Sequence, residues 1–278
     1  MTVPTILIAG CGDVGGIAAR LLMDGGHTVY GLRRRTALLP EGVHPVAADL
    51  ISGAGFEQMP QKADALVYMA SANERTEAGY RQAYVDGLAR MLATEVGQSA
   101  ACVLFVSSTS VYGQQDGQWV DESSLTEPAR FNGAVMLEAE QLVLGLAHGI
   151  VLRLGGIYGP GRNRLIKRAK GGAECVEEPP QYTNRIHSFD AAAAIVHLLA
   201  LDEPAPIYLG VDSDPAPQHV VLDWMAERVG GPAVKRVAAG SSGRAGPGSK
   251  RCSNARLLAS GFTPRYPGFR QGYGELLE

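Results

Sequence analysis

Three glycines near the amino terminus have the spacing of a phosphate-binding turn. Gly10, Gly12 and Gly15 follow directly on the apolar run Ile6 to Ala9 and open a helical pattern. Gly10 would allow the tight turn, Gly12 would let the backbone approach a pyrophosphate, and Gly15 would let the helix pack closely on the strand. The amino terminus of such a helix favours an anion. This G-x-G-x-x-G therefore predicts a dinucleotide-binding turn, and its remaining positions are Cys11, Asp13 and Val14.

The residues that follow the second predicted strand favour a phosphorylated ribose. A turn that binds NAD(H) has an Asp or Glu about twenty residues beyond the glycines, where the carboxylate accepts hydrogen bonds from the ribose. This chain has Arg33, Arg34 and Arg35 there, and guanidinium groups can bind the additional phosphate of NADP(H) in bidentate fashion. We therefore expect NADP(H), with NAD(H) as the alternative cofactor. A solvated basic loop is the other explanation of the three arginines.

Asp49 and Leu50 end the third predicted strand. The side chain or the backbone of these residues could meet the adenine edge of the cofactor. A simple turn would explain Asp49 nearly as well.

Alternating strands and helices must position these residues. Short apolar runs bounded by turn residues alternate with longer helical patterns, as in β-α-β units of a parallel sheet. The predicted strands are mostly apolar throughout, which indicates burial on both faces. They are Thr5 to Ala9, His27 to Leu32, Val43 to Val46, Ala65 to Met69, Ala101 to Val106, Ile150 to Leu154 and Ile207 to Leu209.

The predicted helices have apolar residues at helical spacing, which we expect in the core. These residues are Ile17, Leu21, Leu22, Tyr84, Leu88, Leu92, Leu137, Leu142, Val143 and Leu146. The fold class that follows is α/β, with a Rossmann-type doubly wound parallel sheet and a smaller carboxyl-terminal substrate lobe.

Four segments, in this order, resemble the extended short-chain dehydrogenases, also called the NAD-dependent epimerase/dehydratase family. They are the glycine turn, Tyr68 to Ser71, Ser107 to Gly113, and Arg153 to Arg162. The resemblance implies cofactor contacts for Ala70, Ser71, Ser107, Gly156, Ile157 and Tyr158, the last three approaching the nicotinamide through backbone groups. It also implies a homodimer formed by the helices after the fourth and fifth strands, with Phe131 and Leu137 near the interface.

The resemblance implies a catalytic hydroxyl but not the usual acid and base. Ser108 stands where the family has a Ser or Thr that polarises the substrate oxygen, although a hydrogen-bonded turn would also explain it. The family's Tyr-x-x-x-Lys is replaced by Asn132 and Met136, of which the first does not titrate and the second has neither charge nor donor. In this respect the chain is similar to atypical members that keep the fold and the cofactor turn.

Two further residues could take over proton transfer. Tyr112 lies four residues beyond Ser108 and could present its phenol to the same pocket, although its counterpart in the family usually packs beside the site. His187 lies in a segment that resembles the family's R-x-H-x-x-D region, and it could donate a proton near neutral pH. A buried structural histidine is the favoured interpretation. Asp190 of the same segment is expected to cap the following helix.

The other charged residues need not do chemistry. The basic run Arg162, Arg164, Lys167, Arg168 and Lys170 could bind an anionic substrate group, or it could form a solvated helix face. Glu138 and Glu140 are expected to be exposed or to form salt bridges. The six histidines and four cysteines lack the spacing of metal ligands, so we expect no metal site and reduced thiols.

Composition narrows the classes of function. Of the 278 residues, 46% are hydrophobic and 19% charged, and the net charge is −3, as is typical of soluble globular proteins. This charge provides no positive field for nucleic acid or an anionic membrane. Met1 to Gly10 lacks the basic segment of a secretory signal, and Ala191 to Leu201 is too short to span a bilayer. We therefore expect a cytoplasmic protein.

The predicted organisation has two parts. A nucleotide-binding domain comprises residues 1–158 and 187–210, a smaller substrate lobe comprises residues 159–186 and 211–278, and Gly240 to Gly248 is expected to be a loop. The leading hypothesis is an NADP(H)-dependent oxidoreductase or epimerase that acts on a small carbonyl or sugar-like substrate. A non-catalytic NADP(H) sensor is the alternative, and a scaffold that has lost its cofactor is the third. Fold alone cannot choose among them.

Overall fold

The computed structural model describes residues 3–239 and 249–278. The loop expected at Gly240 to Gly248 lies outside the described residues, as do Met1 and Thr2 of the amino-terminal segment. Within the described ranges, no helix is both long enough and apolar enough to cross a membrane.

The strands and helices follow the alternation that the sequence predicts. The strands are β1 (Thr5–Ala9), β2 (Thr28–Arg33), β3 (His44–Ala47), β4 (Ala65–Tyr68), β5 (Cys102–Ser108), β6 (Gln118–Val120), β7 (Gly149–Leu154), β8 (Gly156–Tyr158), β9 (Glu174–Val176), β10 (Tyr182–Thr183), β11 (Arg185–His187), β12 (Ile207–Gly210), β13 (Ala216–Pro217), β14 (Lys235–Val237) and β15 (Lys250–Cys252). The α-helices are α1 (Asp13–Asp24), α2 (Glu77–Tyr80), α3 (Gly87–Leu92), α4 (Glu95–Ser99), α5 (Phe131–Leu144), α6 (Arg164–Lys170), α7 (Ser188–Leu199), α8 (Gln218–Arg228), α9 (Ala255–Ala259) and α10 (Phe269–Leu277).

A seven-stranded parallel sheet forms the centre of the fold, in the order β12-β7-β5-β4-β1-β2-β3. All seven strands that the sequence predicts are in it, with ends displaced by at most two residues. Their interior residues are buried, with Leu7, Ile8 and Leu66 fully inaccessible to solvent, because helices cover both faces. The predicted doubly wound fold is confirmed.

The order of the strands reverses at β1. The chain proceeds from β1 to β2 and β3 on one side and then returns to β4 on the other side of β1. In open α/β sheets, ligands bind in the crevice outside the carboxyl ends of the strands at such a switch point. The carboxyl ends of β1 and β4 are therefore where a nucleotide is expected.

The apolar residues of the predicted helices do not all lie in the core. Leu22, Leu88 and Val143 are buried, whereas several of their partners at helical spacing are only half-buried. Leu146 was predicted to be buried, and this is wrong: α5 ends at Leu144, and Leu146 is exposed beyond it. The buried face of α5 consists of Gly133, Val135, Met136, Ala139, Glu140 and Val143.

The helical stretch after β4 contains an irregular turn. Between α2 and α3, Arg81–Asp86 forms a π-helical segment, in which backbone carbonyls bond five rather than four residues ahead. The hydroxyl of Tyr68, the last residue of β4, donates a 2.6 Å hydrogen bond to the carbonyl of Ala83 within this segment. The irregular turn thus supplies a backbone acceptor to a fully buried phenol.

The chain divides into two compact units. The first comprises Met1–Val111, Thr126–Arg153 and Ala191–Tyr208, and the second comprises Tyr112–Leu125, Leu154–Asp190 and Leu209–Glu278. The second unit contains four two-stranded pairings, β6 with β15, β8 with β11, β9 with β14, and β10 with β13. Its core includes Tyr158, Met225, Phe269 and Tyr273. The domain bounds derived from the sequence stay a prediction.

Candidate functional site

The glycine turn joins β1 to α1 in the first unit. Gly10 has a φ of +91°, and a Cβ atom there would lie 2.7 Å from the carbonyl oxygen of Met69. The amides of Gly10 and Cys11 both donate to the carbonyl of Leu32 at 3.0 Å, which ties the turn to the end of β2. Only glycine tolerates both the positive φ and the close backbone at position 10.

The other two glycines of the motif have different surroundings. A Cβ atom at Gly12 would have no neighbour nearer than 3.8 Å, so this backbone faces open space. A Cβ atom at Gly15 would lie 3.1 Å from the sulfur of Met69 and 3.3 Å from Ile8, which marks close packing of helix on sheet. The surroundings agree with the three roles that the sequence assigns to the glycines. Asp13 is exposed in the first turn of α1, whereas the side chains of Cys11 and Val14 are buried.

A cavity of about 220 Å³ opens beside the glycine turn, at the carboxyl ends of β1, β2, β3 and β4. It lies at the switch point of the sheet, and all of its lining residues belong to the first unit. The cavity brings together eight of the predicted cofactor residues, Gly10, Gly12, Arg33, Arg34, Asp49, Leu50, Ala70 and Ser71. Arg35, the third arginine after β2, also lines the cavity. Six further lining residues are not predicted from the sequence: Leu32, Ala48, Ile51, Met69, Asn73 and Ala83.

The arginines at this cavity have no carboxylate partners among the residues of ranges 3–239 and 249–278. Arg34 is exposed, and its guanidinium donates a 2.8 Å hydrogen bond to the side-chain oxygen of Asn73. Arg33 is half-buried and donates to the carbonyl of Leu38 at 3.3 Å. The positive charge at the cavity is therefore available to an anion. Asn73 could have been identified from the sequence because it is a polar residue two positions beyond Ser71.

Asp49 forms a turn, which the sequence analysis gives as the alternative to a contact with the adenine. Its carboxylate accepts a 2.9 Å hydrogen bond from the amide of Ile51, and its own amide donates to the carbonyl of Ala54. The carbonyl of Leu50 accepts from Arg90 at 3.1 Å. Both residues line the cavity while their polar groups stabilise its wall.

The end of β5 carries two serines with different roles. The hydroxyl of Ser107 is buried and donates to the carboxylate of Glu140 at 2.6 Å, so this side chain is turned toward the interior. The hydroxyl oxygen of Ser108 is half-buried and accepts a 3.1 Å hydrogen bond from the amide of Ser110. The hydroxyl proton of Ser108 has no acceptor among the described residues, so it is available to a ligand. Contact of Ser107 with a cofactor would have to use its backbone.

The first turn of α5 packs against the segment that follows Ser108. A Cβ atom at Gly133 would collide with the carbonyl of Ser110, so the helix begins immediately beside this segment. Asn132 is half-buried in that first turn, and Met136 is buried one turn later. These two positions therefore hold an amide and a thioether, neither of which exchanges protons near neutral pH. That they correspond to the family's Tyr and Lys stays a prediction.

Tyr112 and His187 are both buried in the second unit. The phenol of Tyr112 donates to the carbonyl of Asp121 at 2.8 Å. The Nδ1 atom of His187 accepts from the amide of Phe189 at 3.2 Å, and the ring lies 4.0 Å from that of Tyr266, centroid to centroid. Burial lowers the pKa of His187, so the neutral imidazole is favoured. These contacts agree with the structural interpretations that the sequence left open for both residues.

Asp190 contacts a different segment from the one expected. Its two carboxylate oxygens accept from the amides of Arg265 and Tyr266, at 2.8 and 2.9 Å. The expectation that Asp190 simply caps its own helix is therefore corrected: it stabilises residues before α10. As in a helix cap, the carboxylate accepts hydrogen bonds from backbone amides. Here, however, the donating amides belong to a distant part of the sequence.

The segment from Gly156 to Tyr158 forms β8, which pairs in parallel with β11. Gly156 is exposed and Ile157 half-buried, whereas the ring of Tyr158 is buried and stacks on Tyr273 with centroids 4.2 Å apart. The side chain of Tyr158 thus belongs to the core of the second unit, which leaves the backbone of β8 for the predicted contact with a nicotinamide.

Three polar atoms in this part of the second unit are buried without a hydrogen-bond partner among the described residues. They are the phenol oxygen of Tyr158, one guanidinium nitrogen of Arg185 and one carboxylate oxygen of Asp212. The other terminal nitrogen of Arg185 donates to Thr183. Burial raises the pKa of Asp212 to about 8 despite the opposing charge of Arg185. Asp212 was missed in the sequence analysis, and its position two residues after the buried strand β12 was the available signal.

The basic residues of α6 lie at the surface or partly buried. Arg164, Lys167 and Lys170 are exposed on α6, and Arg168 donates to the carbonyl of Glu174 at 2.9 Å. This agrees with a solvated helix face. The described residues contain no group of three or more His, Cys, Asp or Glu side chains that could hold a metal ion.

Comparison with known proteins gives the family. The model of the NAD dependent epimerase/dehydratase family matches residues 6–209. Protein YeeZ of Escherichia coli K12 is 29% identical over 214 residues, which cover 74% of this chain and 72% of YeeZ. Among solved structures, a provisional NAD-dependent epimerase/dehydratase from Methylobacillus flagellatus is 38% identical, with 99% of this chain and 98% of that chain covered and a TM-score of 0.79.

A more distant structure shows the same fold. The human epimerase family protein SDR39U1, solved with NADPH, is 19% identical, with 98% of this chain and 99% of that chain covered and a TM-score of 0.78. The family match covers the glycine turn, the switch-point cavity and every strand of the central sheet except the first residue of β1 and the last of β12. The resemblance inferred from the sequence is confirmed, and the chain belongs to the NAD dependent epimerase/dehydratase family.

Proposed function

We propose that this protein is an NADP(H)-dependent oxidoreductase or epimerase that acts on a small carbonyl or sugar-like compound. Membership in the family supports a nicotinamide dinucleotide as the cofactor. The preference for NADP(H) is supported by the switch-point cavity, where Arg33, Arg34 and Arg35 meet no carboxylate from the described part of the chain.

The arginines favour the phosphorylated form of the cofactor. The hydrogen bond between Arg34 and Asn73 fixes one guanidinium at the wall of the cavity, which both residues line. A carboxylate, which would repel a ribose phosphate, does not line the cavity at the end of β2. The only acidic residue among the lining residues is Asp49, and its carboxylate already accepts from Ile51. The electrostatics of the cavity therefore suit the dianionic phosphate of NADP(H).

The chain's own residues would divide the work in the following way. The open backbone at Gly12 and the amino terminus of α1 would bind the pyrophosphate, and Arg34 would bind the ribose phosphate. The cofactor supplies hydride transfer when bound. Ser108 would donate its free hydroxyl proton to the substrate oxygen that gains charge in the transition state. Asn132 could hold a ligand by its amide but could not exchange a proton.

A non-catalytic NADP(H) sensor is the second candidate. It is favoured by the burial of Met136 in the interior of the first unit, because no charged side chain could occupy that position without a partner. In this case the cavity would bind the nucleotide and Ser108 would have only a structural role.

The cofactor is tested by fluorescence titration of NADPH and NADH into the wild type, Arg34→Ala and Arg20→Ala. Arg20 is exposed on α1 and does not line the cavity, so it is the matched control. A charge-assisted hydrogen bond contributes roughly 1.5 to 3 kcal/mol, so Arg34→Ala should weaken NADPH binding by about ten-fold or more and leave NADH unchanged. Equal affinity for both nucleotides in the wild type, unaffected by Arg34→Ala, would overturn the preference for NADP(H).

Catalysis is tested with Ser108→Ala. Cofactor-linked turnover on a panel of small carbonyl compounds and sugars should be present in the wild type and fall at least ten-fold in Ser108→Ala, with NADPH affinity unchanged. Tight NADPH binding without turnover of any compound would favour the sensor, and protein capture compared with and without NADPH would then show whether the nucleotide controls a partner.

The homodimer implied by the resemblance is part of the proposal. Phe131, at the start of α5, is 38% exposed, and its ring meets that of Tyr80 edge-on at 5.5 Å. Leu137 on the same helix is half-buried. Sedimentation velocity of the wild type and of Phe131→Glu should show a dimer that the charge dissociates.

A further inference from the structure

Lys250 carries a charge that is buried without a counter-ion. It is the first residue of β15 in the second unit and is only 8% exposed. Its ammonium nitrogen donates a 3.0 Å hydrogen bond to the backbone carbonyl of Tyr112. An ammonium group has three donors, so this bond satisfies one of them. The other four lysines of the chain, Lys62, Lys167, Lys170 and Lys235, are all exposed.

No carboxylate of this chain pairs with Lys250. None of the ion pairs within residues 3–239 and 249–278 includes it. The remaining residues, 1–2 and 240–248, contain neither Asp nor Glu in the sequence. The nearby acid Glu122 accepts from the amide of Leu209 at 2.9 Å and pairs with Arg256 at 3.6 Å. The described residues therefore leave the Lys250 ammonium without a carboxylate partner.

The titratable neighbour of Lys250 on its own strand is neutral. Cys252 is two residues further along β15 and on the same face, and burial raises the pKa of its thiol to about 12, so it remains protonated. Arg251 points to the other face, where its guanidinium lies over the rings of Trp119 and Tyr182, about 5 Å away. Burial lowers the pKa of Lys250, as expected for an ammonium without a counter-ion.

Such a residue is costly for stability. Lysine is almost never fully buried unless it is paired, because removal of an ammonium from water is strongly unfavourable. A methionine would fill nearly the same space at position 250 without this penalty. Costly buried charges are found preferentially at binding and catalytic sites, where a ligand supplies the missing partner.

We infer that Lys250 is an anion-binding residue of the second unit and that it binds a carboxylate or phosphate oxygen of the substrate. This inference rests on the proposed function only in that it assigns the anion to a substrate. It adds a substrate class to that function: a small compound that carries an acidic group.

The experiment measures anion binding by Lys250→Met, Lys250→Arg and Lys235→Met with acetate and with inorganic phosphate as probes. Lys235 is an exposed lysine of the same unit and serves as the matched control. Thermal unfolding is followed at constant ionic strength with NADPH bound, so that Arg33 to Arg35 do not compete for the anion. A second series uses Arg34→Ala without nucleotide, which separates failure of the cofactor proposal from failure of this one.

The wild type and Lys235→Met should be stabilised saturably by one of the two anions, and which anion it is distinguishes a carboxylate from a phosphate substrate. Lys250→Met should lose this response, with binding weakened by about ten-fold or more, and Lys250→Arg should retain part of it. Without ligand, Lys250→Met should unfold at a higher temperature than the wild type, because it removes an ammonium that has no carboxylate partner among the described residues.

A measurement on the wild type does not depend on any variant folding. Reductive ¹³C-methylation labels the lysines, and the NMR titration of Lys250 should show its pKa rise when the anion binds. An anion response of Lys250→Met equal to that of the wild type, or a Lys250 signal indifferent to both anions, would overturn the inference while leaving NADPH binding intact.

Discussion

Glu140 and Arg153 form a bidentate ion pair in the interior of the first unit. The Nη2 and Nε atoms of Arg153 lie 2.7 and 3.0 Å from the two carboxylate oxygens of Glu140. The side chains are 0% and 4% exposed, and Ser107 donates a further hydrogen bond to the same carboxylate. One carboxylate thus joins α5 and β7 to Ser107 of β5, the residue before Ser108. The pair stabilises the strand end on which the proposed catalytic hydroxyl lies.

Glu140→Gln should be strongly destabilising. The change removes the carboxylate that balances the buried Arg153, and breaking a buried pair by removing one partner costs about 3 to 5 kcal/mol. Glu138→Gln is the control on the same helix, because its pair with Arg81 is 44% exposed on both sides and should contribute little to stability. Urea unfolding monitored by circular dichroism measures both. Similar losses of unfolding free energy in the two variants would show that burial does not make the Glu140–Arg153 pair more important than the exposed one.

Alanine at Gly10 should mainly reduce stability, whereas alanine at Gly12 should mainly reduce NADPH binding. Gly10→Ala forces a Cβ atom to within 2.7 Å of the Met69 carbonyl at a φ of +91°, so we expect a loss of about 2 kcal/mol or more in unfolding free energy. Gly12→Ala has open space and should cost much less, but its methyl group would stand where the pyrophosphate approaches.

Thermal unfolding and NADPH titration of the two glycine variants separate these effects. Gly12→Ala should keep a melting temperature close to that of the wild type while its NADPH affinity falls by about ten-fold or more. If Gly12→Ala bound NADPH as tightly as the wild type, the glycine turn would not be the pyrophosphate site.

Tyr68→Phe tests the hydrogen bond to the π-helical segment. The lost hydroxyl leaves the carbonyl of Ala83 without its 2.6 Å donor in a buried position, which should cost about 1 to 3 kcal/mol. Because Ala83 lines the cavity, NADPH affinity should fall as well. Tyr30→Phe is the control, since the Tyr30 hydroxyl makes no hydrogen bond to the described residues. Comparable stability of the two variants would show that the irregular turn does not depend on Tyr68.

The sheet and the cofactor turn could be predicted because their signals are local. Runs such as Ile6 to Ala9 are apolar at every position, and a strand covered on both faces requires this wherever it lies in the fold. The glycine turn requires particular backbone geometry within six residues, so Gly10 and Gly15 are recognisable from their spacing alone. Arg33 and Arg34 could be placed at the cavity because they directly follow a predicted strand.

The polar interior could not be predicted in the same way. Lys250 and Asp212 have ordinary neighbours in sequence, and their burial results from packing of segments far apart in the chain. Asp190 resembles a helix cap, yet its donors are 75 and 76 residues away. Leu146 fits the helical spacing but follows the end of α5, since periodicity does not specify where a helix stops. Glu140 was assigned only as exposed or salt-bridged, and the structure selects the buried salt bridge.

Asp212→Asn should change how stability depends on pH. Burial raises the pKa of Asp212 from 3.8 to about 8, so between these values the folded protein holds a proton that the unfolded chain has released. The folded state binds more protons, and this carboxyl therefore lowers stability as the pH rises from about 4 to 8. One proton accounts for at most about 1.4 kcal/mol per pH unit. Asparagine cannot titrate, so the variant should gain stability relative to the wild type over this range.

Asp121→Asn provides a control for Asp212→Asn, because the pKa of Asp121 is shifted in the opposite direction. Hydrogen bonds from Ser123 and Ser124 hold the pKa of Asp121 below its ordinary value, so its contribution is lost only when the pH falls below about 4. Urea unfolding at pH 5, 7 and 9 should therefore show a constant difference between Asp121→Asn and the wild type. Over the same range the advantage of Asp212→Asn should grow up to about pH 8 and then level off. A constant difference for Asp212→Asn would mean that the buried carboxyl is already ionised at pH 5, held by Arg185.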